Sequence, residues 1–364
     1  MGVSFTFPVK PLVRFKSVCK NWYALIQNPS FVSLHCNRAA AENTDCVLVK
    51  RSLNGGGKGS ITLSLVPNET STQDIVISST DLDNELRLLG HCNGVVCLSG
   101  LAFNQTIILC NPSIREFRVL PQSSYKTDHF SNLGFGFDPY TNDYKVVKFE
   151  FRHIYSSIDE TIEIYDLSTD SWRKVVLDSS FGFGLNFKYS SCSSWNGDFY
   201  WFACGPSGDR KIIAFRMSNE VFDVIPVPEV CSLDNSRERR LFVLNDSLAL
   251  VLYTSGWELS SHLEKCFDIW IMEEQGVEVS WTKKFTIGPL KGIYFALGFR
   301  LNGEFLFEGD RGQLMSYHID TQQIKKYQVY GHWPPGCLQV LLYNESLVSV
   351  KRHNERDGHD DLHP

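Results

Sequence analysis

YDLSTDSW, at Tyr165–Trp172, is the stretch from which the fold can be read. A Tyr opens it, Ser, Asp and Thr fill the middle, and a Trp stands seven positions after the Tyr. The same spacing returns in CNPSIREF (Cys110–Phe117), FRMSNEVF (Phe215–Phe222) and YHIDTQQI (Tyr317–Ile324). IWIMEEQGVEVSW (Ile269–Trp281) repeats the idea around a longer turn. Each unit reads as a strand, a tight turn, a large apolar residue and a second strand. The anchors Phe117, Trp172, Phe222, Trp281 and Ile324 lie 43 to 59 residues apart.

Between these units run further short apolar segments broken by Gly, Asn, Asp and Pro. Examples are Cys46–Val49, Ile61–Val66, Gly94–Leu98, Tyr144–Phe149, Phe199–Phe202, Leu248–Leu252 and Phe305–Phe307. A period near fifty with about four strands per unit marks a kelch-like β-propeller blade. One blade cannot bury both faces of its sheet, whereas a closed ring of blades can. The expected fold is therefore mainly β, a propeller of about six blades. Ring closure should join segments near Leu338–Tyr343 and Leu347–Val350 to an early strand at Cys46–Lys50, removing two sheet edges. The turn aromatics are expected to pack blade on blade rather than to hold a ligand.

Residues 1–40 read differently. Leu12, Phe15, Val18, Cys19, Trp22, Leu25 and Ile26 follow steps of three or four, the period of one helix face. Pro8 and Pro11 precede the run, and Asn28-Pro29 ends it. Ser30 then stands as the cap of a second short helix through Phe31, Val32 and Leu34. By pattern alone this is an amphipathic helix packing on the larger domain. The expected organisation is a helical segment over 1–40, a propeller over 41–352 and a polar tail over 353–364.

Bulk properties limit the function classes. The chain has 364 residues, a formal charge of -6 and 43% hydrophobic residues, so it can build a core and is poorly suited to nucleic acid or anionic membranes. No apolar run reaches the roughly 20 residues of a membrane helix, and no secretory leader is visible at the start. Eleven cysteines without CxxC spacing read as reduced thiols of a cytoplasmic or nuclear protein. The glycosylation patterns at Asn68 and Asn104 carry no weight without a secretory route.

A search for chemistry returns little. There is no nucleophile elbow and no Walker loop. Gly55–Gly59 is followed by a strand-like run, which favours a hairpin loop over a phosphate site. His353, His359, His363, Asp357, Asp360 and Asp361 match no standard metal spacing and read as a solvated tail. Asp138, Asp166 and Asp170 sit in turns, where carboxylates accept local backbone bonds. No catalytic residue, cofactor or metal is expected, and the substrate-binding residues cannot be named from the sequence.

The string FPVKPLVRFKSVCKNWYALIQNPSFVSLH (Phe7–His35) resembles the second and third helices of plant F-box motifs. LGHCNGVVCL, NPSIREFRVLP, LGFGFDPYTNDYKVVKF, IEIYDLSTDSWRKV and FDIWIMEEQGVEVSWTKKFTI resemble the F-box-associated domain of plants. Within that group the chain is most similar to S-locus F-box and S-locus F-box-like proteins. The resemblance implies a non-catalytic substrate receptor of an SCF-type ubiquitin ligase. Pro8, Leu12, Phe15, Val18, Cys19 and Trp22 would form the F-box core or meet a Skp-type adaptor carried by a cullin scaffold. The target would be a protein, with S-RNases of self-incompatibility as the class the narrower resemblance suggests. The chain starts at Met1, seven residues before Pro8, and Val3–Phe7 cannot supply the usual first helix resembling LPxDLxxxIL. The expectation is a partial motif. It leaves open a non-degradative interaction propeller whose F-box has decayed. Candidate target loops are the least repeat-like segments: Pro121–Asn132, Phe151–Glu160, Ser179–Ser191, Cys231–Arg240 and Ser255–Lys265.

Overall fold

The computed structural model describes residues 7–42, 45–51, 60–67, 73–78, 86–100, 106–123, 132–154, 157–175, 192–205, 207–233, 237–254, 264–275, 278–331 and 336–351. The chain opens with three helices, α1 (Val9–Phe15), α2 (Lys20–Gln27) and α3 (Pro29–Glu42). The strands β1 (Cys46–Arg51), β2 (Ser60–Pro67) and β3 (Gln73–Ser78) follow. A second blade is β4 (Leu86–Cys92), β5 (Val95–Gly100), β6 (Ile107–Asn111) and β7 (Glu116–Val119). The third is β8 (Asn132–Asp138), β9 (Asp143–Ile154), β10 (Ser157–Asp166) and β11 (Ser171–Val175). The fourth is β12 (Cys192–Trp195), β13 (Asp198–Cys204), β14 (Arg210–Arg216) and β15 (Val221–Pro226), followed by the short helix α4 (Glu229–Leu233). The fifth is β16 (Arg237–Leu244), β17 (Ser247–Thr254), β18 (Lys265–Gln275) and β19 (Glu278–Leu290). The sixth is β20 (Ile293–Phe299), β21 (Phe305–Gly309), β22 (Gln313–Tyr317) and β23 (Ile324–Tyr330), and β24 (Gln339–Leu342) comes last.

These strands form six four-stranded antiparallel sheets. The strands β4, β8, β12, β16, β20 and β24 touch one another around the ring and line its axis. The architecture is the six-bladed propeller that the repeat implies. Middle strands such as VVCLSG and IILCN are buried on both sides, since each sheet lies between two others, while the outer β7 alternates half-buried and exposed positions.

The repeated turn has a backbone signature. Arg115, Asp170, Glu220 and Gln322 have φ of 56°, 53°, 58° and 57°, and each stands two residues before its anchor. In three of them the amide bonds back to the carbonyl four residues earlier: Asp170 to Asp166, Glu220 to Arg216 and Gln322 to His318. The left-handed residue closes the turn and aims the next strand back along its partner.

The Trp anchors work between blades. Trp172 Nε1 donates to the Pro121 carbonyl at 2.7 Å and Trp281 Nε1 to the Pro226 carbonyl at 2.8 Å. Each indole thus holds the end of the preceding blade. Gly134 allows a close approach of the fourth blade to the third, since a Cβ there would lie 2.5 Å from the Trp201 ring.

Closure uses β24 alone on the carboxyl side. It supplies the innermost strand of the first sheet and pairs with β1 from Val47↔Leu342 to Lys50↔Gln339. Leu347–Val350, expected as a strand, is irregular. Its polar backbone groups bond to side chains of the second blade instead of to a ladder.

The amino-terminal segment also departs from the expectation. The periodic run is two helices, with Ser17, Val18 and Cys19 in the break between them. Pro8 is the residue before α1, and Pro11 lies inside its first turn, where the missing N–H costs nothing. Asn28, not Ser30, caps α3: its Oδ1 accepts from the Ser30 amide at 2.9 Å and the Phe31 amide at 3.4 Å. The helix runs on to Glu42, well beyond Leu34. Val3–Thr6, Gly55–Gly59 and the tail from Arg352 lie outside the described residues.

Candidate partner-binding surfaces

Two surfaces stand out, and strand direction places them on opposite faces of the ring. In each blade the first-to-second and third-to-fourth connections open on one face. The second-to-third connections and the passages between blades open on the other. The tight turns at Asn93, Arg115, Asn142 and Asp170 belong to the first face.

The three helices lie on that tight-turn face. Val9, Leu12, Ile26 and Phe31 are buried with Leu347, and Val13, Phe15, Trp22, Leu25, Val32 and Ile114 pack around them. Ile114 belongs to the β6–β7 turn. Beside this seam a cleft of about 1080 Å3 separates α2 and α3 from the turns of the second and third blades, with Ile26, Asn37, Asn93, Tyr144 and Thr169 among its lining.

The sequence-selected residues therefore divide. Leu12 is fully buried and holds the helices together. Phe15 and Trp22 are half-buried and in contact, with ring centroids 5.2 Å apart and planes inclined at 52°. Pro8, Val18 and Cys19 are exposed, Val18 to 64%. Phe7 and Leu34, which the periodic run did not select, add apolar surface at 40% and 55% exposure. Phe7 meets Phe15 edge-on at 5.8 Å, and the Phe7 carbonyl lies 2.9 Å from His35 Nε2, which donates to it. The helices thus bury one apolar face on the propeller and leave a second one in solvent, and the latter is what a partner could use.

The strand ends that flank the candidate loop segments lie at the opposite face. Pro121–Asn132 joins β7 to β8, Ser179–Ser191 lies between β11 and β12, Cys231–Arg240 leads into β16, and Ser255–Lys265 joins β17 to β18. Phe151–Glu160 is mostly strand, since β9 runs to Ile154 and β10 starts at Ser157. Residues 124–131, 155–156, 179–191, 234–236 and 255–263 of these segments lie outside the described residues. All five positions in the topology belong to one face, a grouping that local pattern could not supply.

The acidic turn residues are structural. Asp138 Oδ1 accepts from the Tyr140 amide at 2.9 Å, and its Oδ2 binds Lys145 Nζ at 2.8 Å. Lys145 also reaches Glu220 Oε1 at 2.7 Å, and Glu220 in turn holds Arg173. Burial pushes the Asp138 carboxyl up, but the bonds from Lys145, Thr141 and Tyr140 outweigh it and keep it below its ordinary value. The array ties the third blade to the fourth. Asp170 takes the Tyr165 hydroxyl at 2.7 Å. Asp166 takes Arg173 Nε at 2.7 Å. Each carboxylate is engaged where it stands.

Residues 58–350 match the F-box associated β-propeller domain. The chain belongs to that family. Among curated relatives, F-box/kelch-repeat protein At3g23880 of Arabidopsis thaliana is 27% identical across 94% of this chain and 92% of its own length. F-box protein At3g07870 of the same plant is 28% identical across 77% of this chain and 69% of its own length. F-box protein CPR1, also from Arabidopsis, is 24% identical across 79% and 71%. The match to At3g23880 takes in 94% of this chain, more than the propeller domain at 58–350 alone.

Proposed function

We propose that this chain is the substrate-recognition subunit of an SCF-type ubiquitin ligase. The exposed surface around Pro8, Val18 and Cys19, backed by Leu12, Phe15 and Trp22, docks on a Skp-type adaptor and through it on the cullin scaffold. The face of long connections holds the target protein. The observation that carries this reading is the division of labour between faces: the helices occupy the tight-turn side, and the strand ends that flank the less repeat-like segments point to the other. A partner on each side can then be held at once without competing. The S-locus resemblance points to S-RNases as the targets, and the acidic chain suits basic proteins of that kind. The complex would work in the cytoplasm and nucleus.

The test is co-purification of the full chain with a Skp-type adaptor, alongside Val18→Asp. At 64% exposure Val18 contributes little to folding, so the variant should keep the wild-type melting curve and lose the adaptor. Unchanged binding by the variant would remove this surface from the docking site. If the wild-type chain fails to bind but binds after a helix of the LPxDLxxxIL type is added ahead of it, the propeller is an interaction module lacking that helix. A panel of S-RNases that gives no signal above background would remove that target class.

A further inference from the structure

The helices begin the chain, yet the residue that completes their core, Leu347, comes more than three hundred positions later. It sits in the strap that follows β24, residues 343–351, and this strap is fixed at almost every step. The Tyr343 amide bonds to the Cys46 carbonyl at 2.9 Å, extending the β24–β1 pairing by one bond. The Tyr343 hydroxyl lies 2.6 Å from Ser113 Oγ. Asn111 Nδ2 donates to the carbonyls of Ser346 at 3.0 Å and Val348 at 2.8 Å. Ser346 rests on Gly94, where a Cβ would come within 2.1 Å of its hydroxyl, so the strap lies directly on the β4–β5 turn. Glu116 Oε2 accepts from Ser349 Oγ at 2.6 Å and from the Val350 amide at 3.1 Å.

The strap's other side belongs to the helices. Leu347 enters their core. Glu345 accepts a bond from the amide of Val9, the first residue of α1, and faces Lys10 and His35. Helix α1 has no side-chain cap within its own segment, so this carboxylate from the strap is what meets its first turn. Besides Leu347, Ile114 of the β6–β7 turn packs against the helices, and a cleft lies beside them.

We propose that the strap is a lock that makes the seat of α1–α3 depend on closure of the ring. Pairing of β24 with β1 delivers residues 343–351 to the second blade. The blade then holds Leu347 and Glu345 in the arrangement that completes the helical core. The dependence runs one way, because β24–β1 pairing and the bonds to Asn111 and Glu116 do not involve the helices. For a nascent chain, the apolar surface around Val18 would be set in place only after the last blade strand has been made. That consequence for the adaptor rests on the function proposed above, whereas the lock itself does not.

Hydrogen exchange on the full-length chain tests it without any partner. In Leu347→Asp, amides of α1–α3 should exchange roughly tenfold faster or more while β24 and β1 keep wild-type protection. Leu347→Ala, the milder variant, should show the same pattern at smaller amplitude, and it decides the matter if the Asp variant fails to fold. Val340→Pro, which breaks β24, should loosen both regions. Leu12→Asp should loosen the helices alone. Wild-type protection of α1–α3 in the folded Leu347 variants, or loss of β24–β1 protection in Leu12→Asp comparable to that in Val340→Pro, would overturn the proposal.

Discussion

Asn111 is the side chain on which the strap depends most. It is fully buried at the end of β6. Its Nδ2 serves the carbonyls of Ser346 and Val348 at 3.0 and 2.8 Å, and its Oδ1 accepts from the Ser113 amide at 3.0 Å. Asn111→Ala leaves two carbonyls and one amide without these partners. Each buried polar group stripped of its partner costs roughly 1–3 kcal/mol, and partial relaxation of the strap toward water recovers some of that, so the net loss should be about 3 kcal/mol. Asn111→Asp separates this account from simple packing. It is nearly isosteric and keeps the acceptor for Ser113, but it turns the donor toward Ser346 and Val348 into an acceptor and buries a charge. It should therefore be at least as destabilising as Ala at neutral pH. Urea unfolding followed by tryptophan fluorescence gives both values from the midpoints, provided the slopes agree. A loss below about 1 kcal/mol for Ala, or near-wild-type stability for Asp, would refute the reasoning.

Three further outcomes are expected. Glu308 is fully buried, and burial pushes its carboxyl up to about 7 against the bonds from the Gly336 and Leu338 amides and the nearby Arg240. A raised carboxyl favours the folded state while protonated, so its contribution is complete below about pH 4.5 and is lost as pH rises through 7. Glu308→Gln should flatten that part of the stability–pH curve, a difference on the order of 2–3 kcal/mol across the window, measured by urea midpoints at several pH values. Gln322 is exposed at φ 57°, so Gln322→Gly should stabilise the chain by about 0.5 kcal/mol, because the relief of left-handed strain slightly exceeds the added freedom of the unfolded chain; a lower melting temperature would count against the turn assignment. Trp172→Phe keeps the ring but removes the N–H on the Pro121 carbonyl, and it should cost about 1 kcal/mol in the same unfolding assay, with no change if the indole only fills space.

What could be read in advance follows from how far each interaction reaches along the chain. The blades repeat, and each tight turn lies within eight residues, so the spacing from Tyr165 to Trp172 exposed both the unit and its period. The left-handed residue of each turn was hidden, because Arg115, Asp170, Glu220 and Gln322 share a conformation but are four different residue types. Glycine would have announced it. Among the helices, periodicity identified the apolar positions but could not separate those buried inward from those left in solvent. Leu12 and Val18 belong to the same heptad-like series, and only the break at Ser17–Cys19 sends Val18 outward. The least readable element was the strap. LVSV (Leu347–Val350) has the composition of a strand, but the side chains of Asn111, Glu116 and Arg118 satisfy its backbone first, and they lie more than two hundred residues away. The same long reach divides the two partner surfaces between faces. That division is a property of strand direction around a closed ring, and it appears only once closure is known. A local pattern can therefore name a blade, whereas the side of the ring on which a loop emerges is decided by the number of strands before it.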